Sequence, residues 1–137
     1  MMKGDMPLMD HIFDENQPIY FQIKNRICAA ILRGVYQPGG KLPGVVDMAM
    51  QYKVNHNTIQ RVYQELIREG IAVAKRGEGT FVTGDVGVIQ GVKGQLQGYY
   101  LETFVQQMSA LGYDREDLAQ TVQAYVSHHR QAESKEE

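Results

Sequence analysis

The first half of the chain alternates helical apolar patterns with turn signals. Apolar side chains recur at every fourth position from Ile19 to Ile31, which predicts a helix with one buried face. Pro18 suits the first position of that helix, where an N–H would have no helical partner, and Gly34 suits its end. Pro43 then predicts the start of a second, short helix. The side chains expected to face the core from this helix are Val45, Met48, Ala49 and Tyr52.

A third helical pattern follows a turn that begins at Lys53. Asn55 is predicted to cap this helix, because its side-chain oxygen can accept a hydrogen bond from an N–H of the first turn. The predicted buried stripe consists of Ile59, Val62, Tyr63, Leu66 and Ile67. Two short strands at residues 71–75 and 80–83, separated by a glycine-containing turn, then predict a β-hairpin.

The C-terminal part of the chain predicts a linker and two amphipathic helices. Five glycines weaken regular structure after the hairpin, so residues 84–95 are predicted to be a Gly-rich linker. The two helices, within residues 96–128, carry stripes formed by Leu101, Phe104, Val105, Met108 and Leu111 and by Leu118, Val122, Tyr125 and Val126. Because two helices alone bury little apolar surface, the stripes predict packing on the preceding domain or, as the favoured interpretation, dimerisation. Residues 1–17 are predicted to be a flexible lead-in and residues 129–137 a polar tail.

The distribution of charge matters more than its total. The net charge is −2, but residues 18–83 carry +5, whereas residues 1–17 carry −3 and residues 84–137 carry −4. Attraction to phosphate acts locally, within a Debye length of roughly 8–10 Å. A basic middle segment between acidic ends is therefore compatible with contact to nucleic acid.

Several other classes of protein are disfavoured. No apolar run reaches membrane-spanning length and the N-terminus lacks a signal pattern, so we expect a cytoplasmic protein without a membrane partner. The single cysteine, Cys28, excludes an internal disulfide and is expected to be a small buried residue. No nucleophile–base pair or cluster of metal ligands is evident, so we expect no enzymatic activity, metal or cofactor.

Helix, turn, helix and hairpin follow one another in the order of a winged helix-turn-helix. One helix of such a domain enters the major groove, and a basic wing contacts the backbone or the minor groove. The sequence therefore predicts a mainly α fold with a small β-hairpin, in which a winged helix-turn-helix at residues 18–83 precedes a two-helix dimerisation element. The candidate DNA-binding residues are Lys41, Lys53, Asn55, His56, Asn57, Thr58, Gln60, Arg61, Lys75, Arg76, Gly77, Gly79 and Thr80.

These candidates divide by the contacts that their side chains can make. Asn57 and Gln60 can pair with adenine edges, and His56 can donate to a guanine acceptor or to a phosphate. Thr58 and the basic side chains are expected to contact mainly the backbone. Asn55 has two interpretations, since a helix cap alone explains an asparagine at that position.

The same region resembles the DNA-binding domain of the GntR family of bacterial transcription regulators. The resemblance is carried by Pro18-Ile19-Tyr20, Gln22-Ile23, Gly34, Pro38-Gly39, Leu42-Pro43, Val54-Asn55, Asn57-Thr58, Tyr63-Gln64-Glu65-Leu66, Gly70 and Arg76-Gly77-Glu78-Gly79-Thr80-Phe81-Val82. The short C-terminus looks like that of the YtrA-type subfamily. The resemblance implies a homodimeric regulator, acting as a repressor on a pseudo-palindromic operator of an operon with transporter genes, and no pocket for a small-molecule effector.

The chain departs from the family pattern at the start of the second helix. The family usually has serine and arginine where this chain has Gly44 and Val46, and frequent basic positions of its recognition helix are His56 and Gln60 here. Arginine–guanine contacts are the commonest specific contacts in the major groove. Their absence keeps a second hypothesis open, in which the chain is a protein-interaction module that has lost specific DNA reading.

Overall fold

A computed structural model describes residues 13–136 of the chain, with side chains described up to residue 130. Its elements are α1 (Ile19–Leu32), α2 (Val45–Tyr52), α3 (His56–Arg68), β1 (Ala72–Lys75), β2 (Gly79–Val82), α4 (Val86–Ala110) and α5 (Arg115–Glu136). The predicted mainly helical fold with one small hairpin is confirmed. No helix within the described range is long and apolar enough to cross a membrane.

The chain forms two compact units, divided between Gln95 and Leu96. In the first unit, α1 and α2 pack against α3, and α3 packs against β1. The largest side chains with less than 2% exposure form its core: Ile23, Ile27, Leu42, Met48, Ile59, Leu66, Val62 and Val82. Tyr63 connects the helices to the loop before α2, since its hydroxyl donates to the carbonyl of Pro43 at 2.6 Å. Burial raises the pKa of Tyr63 well above its ordinary value, so this donor keeps its proton.

Two predicted core positions are exposed instead. Ile67 is 37% exposed, because at 100° per residue it lies about 80° around α3 from Ile59, at the edge of the buried stripe. Ile19 is 43% exposed and begins α1. Cys28, by contrast, is buried as predicted.

The predicted linker at residues 84–95 is wrong, because α4 begins at Val86 and runs without interruption through this segment. The Asp85 carboxylate caps the helix by accepting a hydrogen bond from the Gly87 N–H at 2.9 Å. Ile89 and Val92 are buried. Each interior glycine costs a helix about 1 kcal/mol relative to alanine. The cap and the two buried side chains offset this cost.

The predicted termini also need correction. Residues 1–12 of the lead-in lie outside the described residues, but residues 13–17 fold back on α1. There the Gln22 side-chain amide accepts from the Asp14 N–H at 2.7 Å and donates to the carbonyls of Asp14 and Gln17 at 2.6 and 3.0 Å. At the other end, the residues predicted to form a polar tail, 129–137, continue helix α5 as far as Glu136.

Candidate nucleic-acid interface

The N-terminal end of α3 presents a group of polar side chains to solvent. Asn55 caps this helix as predicted: its Oδ1 accepts from the Asn57 backbone N–H at 2.8 Å. His56, Asn57 and Gln60 are exposed, while Thr58 is half-buried. The buried stripe holds α3 in the domain by its opposite face. The first N–H groups of a helix also favour a negatively charged ligand, so this end suits phosphate as well as base edges.

Lys53 forms the turn between α2 and α3 in a left-handed conformation, with φ 58° and ψ 49°. The turn is closed by the Val54 N–H, which donates to the Ala49 carbonyl at 3.0 Å. The Lys53 side chain is exposed beside the start of α3. The structure therefore places this predicted phosphate contact next to the predicted base-reading residues.

The hairpin β1–β2 forms a basic wing. Its strands are antiparallel, with Lys75 opposite Gly79. The turn contains Gly77 with φ 78° and ends at Gly79 with φ 123°, both in the region that favours glycine. Arg76 is exposed in this turn. Gly77 and Gly79 thus shape the wing that carries the predicted cations, while their own contact with DNA stays a prediction.

A third cation joins the wing from outside the hairpin. Lys41 pairs with Phe81 through an isolated bridge, and its side chain passes beside Gly79, where an added Cβ would lie 2.9 Å from the Lys41 Cε. From β1, the Lys75 Nζ lies 4.4 Å from the centroid of the Phe81 ring on β2. Thr80 is half-buried, and its carbonyl accepts from the Leu42 N–H at 2.8 Å. The Lys41 side chain beside Gly79 and the Lys75 side chain over Phe81 therefore both approach β2, which the sequence alone could not show.

Arg61 is placed differently from the other predicted contacts. The carbon of its guanidinium lies 3.7 Å from the centroid of the Tyr20 ring of α1. A cation over an aromatic face is attracted by the ring quadrupole. This stacking holds one face of the guanidinium against α1 and leaves its in-plane N–H groups able to donate to a phosphate.

Sequence reasoning missed one part of this surface, a shallow cleft beside the start of α3. The cleft measures about 460 Å³, and its lining residues are Val46, Ala49, Met50, Lys53, Val54, Asn55 and His56. Val46 is 64% exposed and Met50 is 72% exposed. The available signal was their spacing of four residues, which places both on one face of α2.

The second unit carries the residues predicted for dimerisation. Five of them are between 40% and 74% exposed: Leu101, Leu111, Val122, Tyr125 and Val126. Phe104, Val105 and Met108 are half-buried. Leu118 is only 7% exposed, so it is a core residue within the chain rather than part of an accessible surface. A role of the two stripes in dimerisation, including that of Leu118, stays a prediction.

A helix-turn-helix with a basic hairpin beside it defines the winged-helix class of DNA-binding proteins. Residues 19–82 match the family model described as bacterial regulatory proteins, gntR family. The chain belongs to this family, as the resemblance predicted. It is a GntR-type transcription regulator with a DNA-binding domain, in a family of regulators rather than enzymes.

Similar proteins support the assignment over most of the chain. The uncharacterized HTH-type transcriptional regulator YhcF of Bacillus subtilis is 41% identical over 118 residues, which cover 86% of this chain and 98% of that protein. The HTH-type transcriptional repressor YtrA of the same organism is 42% identical over 66 residues, covering 48% and 51% of the two chains. A GntR family transcriptional regulator from Listeria monocytogenes has a TM-score of 0.72 at 36% identity, covering 82% and 98%. The predicted similarity to the YtrA type is confirmed.

Proposed function

We propose that the protein is a cytoplasmic, homodimeric repressor that binds a pseudo-palindromic operator. The observation that carries the proposal is the exposed start of α3, where His56, Asn57 and Gln60 surround a capped helix N-terminus. This arrangement suits a helix end that enters the major groove. Family analogy adds an operon with transporter genes as the target, and the similar protein YtrA is named a transcriptional repressor.

Within this proposal, base reading and charge belong to different elements. Asn57 and Gln60 have the amides that pair with adenine edges, and His56 can donate to guanine or phosphate. Lys53 and the wing supply positive charge, which binds every sequence alike. The acidic side chains Glu65 and Glu69 pair with Arg68 and Lys24 respectively, on the part of α3 remote from its N-terminus.

The dimer rests on the exposed apolar side chains of the second unit. Leu101, Leu111 and Tyr125 are 57%, 74% and 64% exposed in a single chain. Burying such residues against a second copy is favourable by about 25 cal/mol for each Å² of apolar surface. A two-fold dimer also presents two α3 helices, which matches an operator with two related half-sites.

A substitution in the full-length protein tests the dimer. Leu101→Asp is expected to give a monomer by light scattering, because an unpaired carboxylate would be buried twice in a symmetric interface at a cost of several kcal/mol each. Gln106→Asp introduces the same charge at an exposed polar position of the same helix, on the face opposite the apolar stripe, and is expected to leave the dimer intact. A Leu101→Asp protein that remains dimeric would refute the assigned interface.

Selection of bound DNA from a random pool tests operator reading. We expect an enriched inverted repeat at both low and moderate salt, since base contacts persist after part of the phosphate contribution is screened. Binding that is strongly salt-sensitive and enriches no motif would contradict the proposal.

One observation favours a second candidate function, a protein-interaction module. Val46 stands where the family usually has a DNA-contacting arginine, and Val46 and Met50 leave an exposed apolar surface. The basic wing and the exposed amides of α3 favour the repressor. The same selection separates the two functions, because an interaction module would enrich no operator.

A further inference from the structure

Two apolar side chains stand exposed on α2 beside the predicted base-reading residues. Val46 and Met50 are one helical turn apart and are 64% and 72% exposed. They share the shallow cleft of about 460 Å³ with Lys53, Asn55 and His56. We call Val46 and Met50 the α2 apolar pair. The pair is thus continuous with the surface that enters the major groove in the proposed function.

The chemistry of the major groove offers one apolar group to such a pair. Guanine, cytosine and adenine present hydrogen-bonding groups along their edges, whereas thymine also presents its C5-methyl group. An aliphatic side chain gains nothing from a phosphate, which must keep its hydrogen bonds or lose free energy. The cleft is also lined by Lys53, Asn55 and His56, so an occupant of the pair lies at the surface proposed to enter the major groove.

We propose that the α2 apolar pair contacts thymine C5-methyl groups in the operator and so contributes to base selection. This inference rests on the proposed function. Val46 replaces a hydrogen-bonding arginine of the family pattern with a side chain that selects by apolar contact.

Replacing thymine with uracil removes the methyl group and leaves the hydrogen bonds of the base pair unchanged, so it isolates the proposed contact. The probes are the double-stranded oligonucleotide enriched from a random pool by the full-length protein, and versions of it with uracil at one thymine per half-site. Dissociation constants are measured for the wild type, Val46→Ala, Met50→Ala and Val35→Ala. Val35 is 59% exposed beyond the end of α1, so Val35→Ala is a matched control for Val46→Ala.

For the wild type, we expect uracil at the contacted thymine to weaken binding about three- to fourfold per methyl group, from about 0.8 kcal/mol per buried carbon. Val46→Ala or Met50→Ala should reduce this ratio toward one, whereas Val35→Ala should preserve it. Circular dichroism checks that the variants remain folded, as expected for exposed positions.

Two different failures can be told apart. In the first, the pool yields an inverted repeat, but uracil does not weaken binding, or it weakens binding by the same factor for the wild type and both α2 variants. This result would overturn the inference and leave the proposed repressor function intact. A pool that yields no motif would overturn the proposed function and the inference together.

Discussion

Lys53 forms the turn between α2 and α3 and is also a predicted phosphate contact. It is the one non-glycine residue with positive φ among residues 13–136. A left-handed conformation costs an L-residue roughly 1–2 kcal/mol. The turn between α2 and α3 requires this geometry, and it leaves the lysine exposed at the start of α3. The turn geometry therefore favours glycine at this position, whereas the proposed phosphate contact requires lysine.

Lys53→Gly is expected to separate the two demands. Glycine removes the steric cost of the left-handed conformation, but its greater freedom in the unfolded chain lowers the free energy of unfolding by about 0.5–1 kcal/mol. The net free energy of unfolding, measured by urea denaturation, should therefore rise by up to about 1 kcal/mol. Loss of one phosphate contact should at the same time weaken binding to random DNA and lower the salt slope by about one unit. A variant with unchanged DNA binding would argue against a role for Lys53 in the interface.

Cys28 gives a prediction about alkaline stability. Burial raises the pKa of its thiol from 9.0 to about 11, with smaller opposing effects of Lys24 and Glu69. The folded state therefore favours the neutral thiol, and its contribution to stability is complete below pH 9 and lost as the pH rises toward 11. Compared with Cys28→Ala, the wild type should lose on the order of 2 kcal/mol of unfolding free energy over this interval. Parallel pH profiles of the two proteins would show that the thiol is accessible in the folded state.

At the scale of elements, sequence periodicity predicted α1 to α3 and the hairpin well. The stripe from Ile59 to Leu66 fixes the buried face of α3, and Asn55 has the side chain that its cap requires. The exposure of His56 and Asn57 follows from those two facts. By contrast, the approach of Lys41 to the wing and the stacking of Arg61 on Tyr20 join distant parts of the chain. No local pattern records such contacts.

The start of α4 was mispredicted because local propensity and tertiary packing disagree there. Glycines lower helix propensity wherever they occur, so a prediction from composition gives a linker. In the structure, the Asp85 carboxylate accepts a hydrogen bond from the Gly87 N–H at the start of the helix. Ile89 and Val92 are buried, and this burial depends on tertiary packing rather than on local propensity. Two apolar residues three positions apart are too short a pattern to outweigh five glycines in a prediction from sequence.

Gly94→Ala tests whether this segment is a helix. A Cβ added at Gly94 would meet no atom within 4 Å, so the substitution creates no clash. In a helix it should raise stability by about 0.5–1 kcal/mol, measured by thermal unfolding with circular dichroism. A change near zero, or a loss of stability, would indicate that the segment is the linker that its composition suggests.

At the scale of the whole molecule, positive and negative charge are separated along the chain. Residues 18–83 carry +5 and contain the capped helix end and the wing, whereas residues 84–137 carry −4 and contain the exposed apolar side chains proposed for dimerisation. Along the sequence, most of the negative charge therefore lies outside the DNA-binding domain.

The most direct test of sequence reading by α3 is competition binding with a matched and a scrambled operator. Asn57→Ala should cost about 1–3 kcal/mol on the matched operator and much less on the scrambled one, because a bidentate contact to a base exists only in the former. Arg76→Ala in the wing is the control, and it should weaken binding to both DNAs about equally. Equal losses on the two DNAs for Asn57→Ala would contradict base reading by α3.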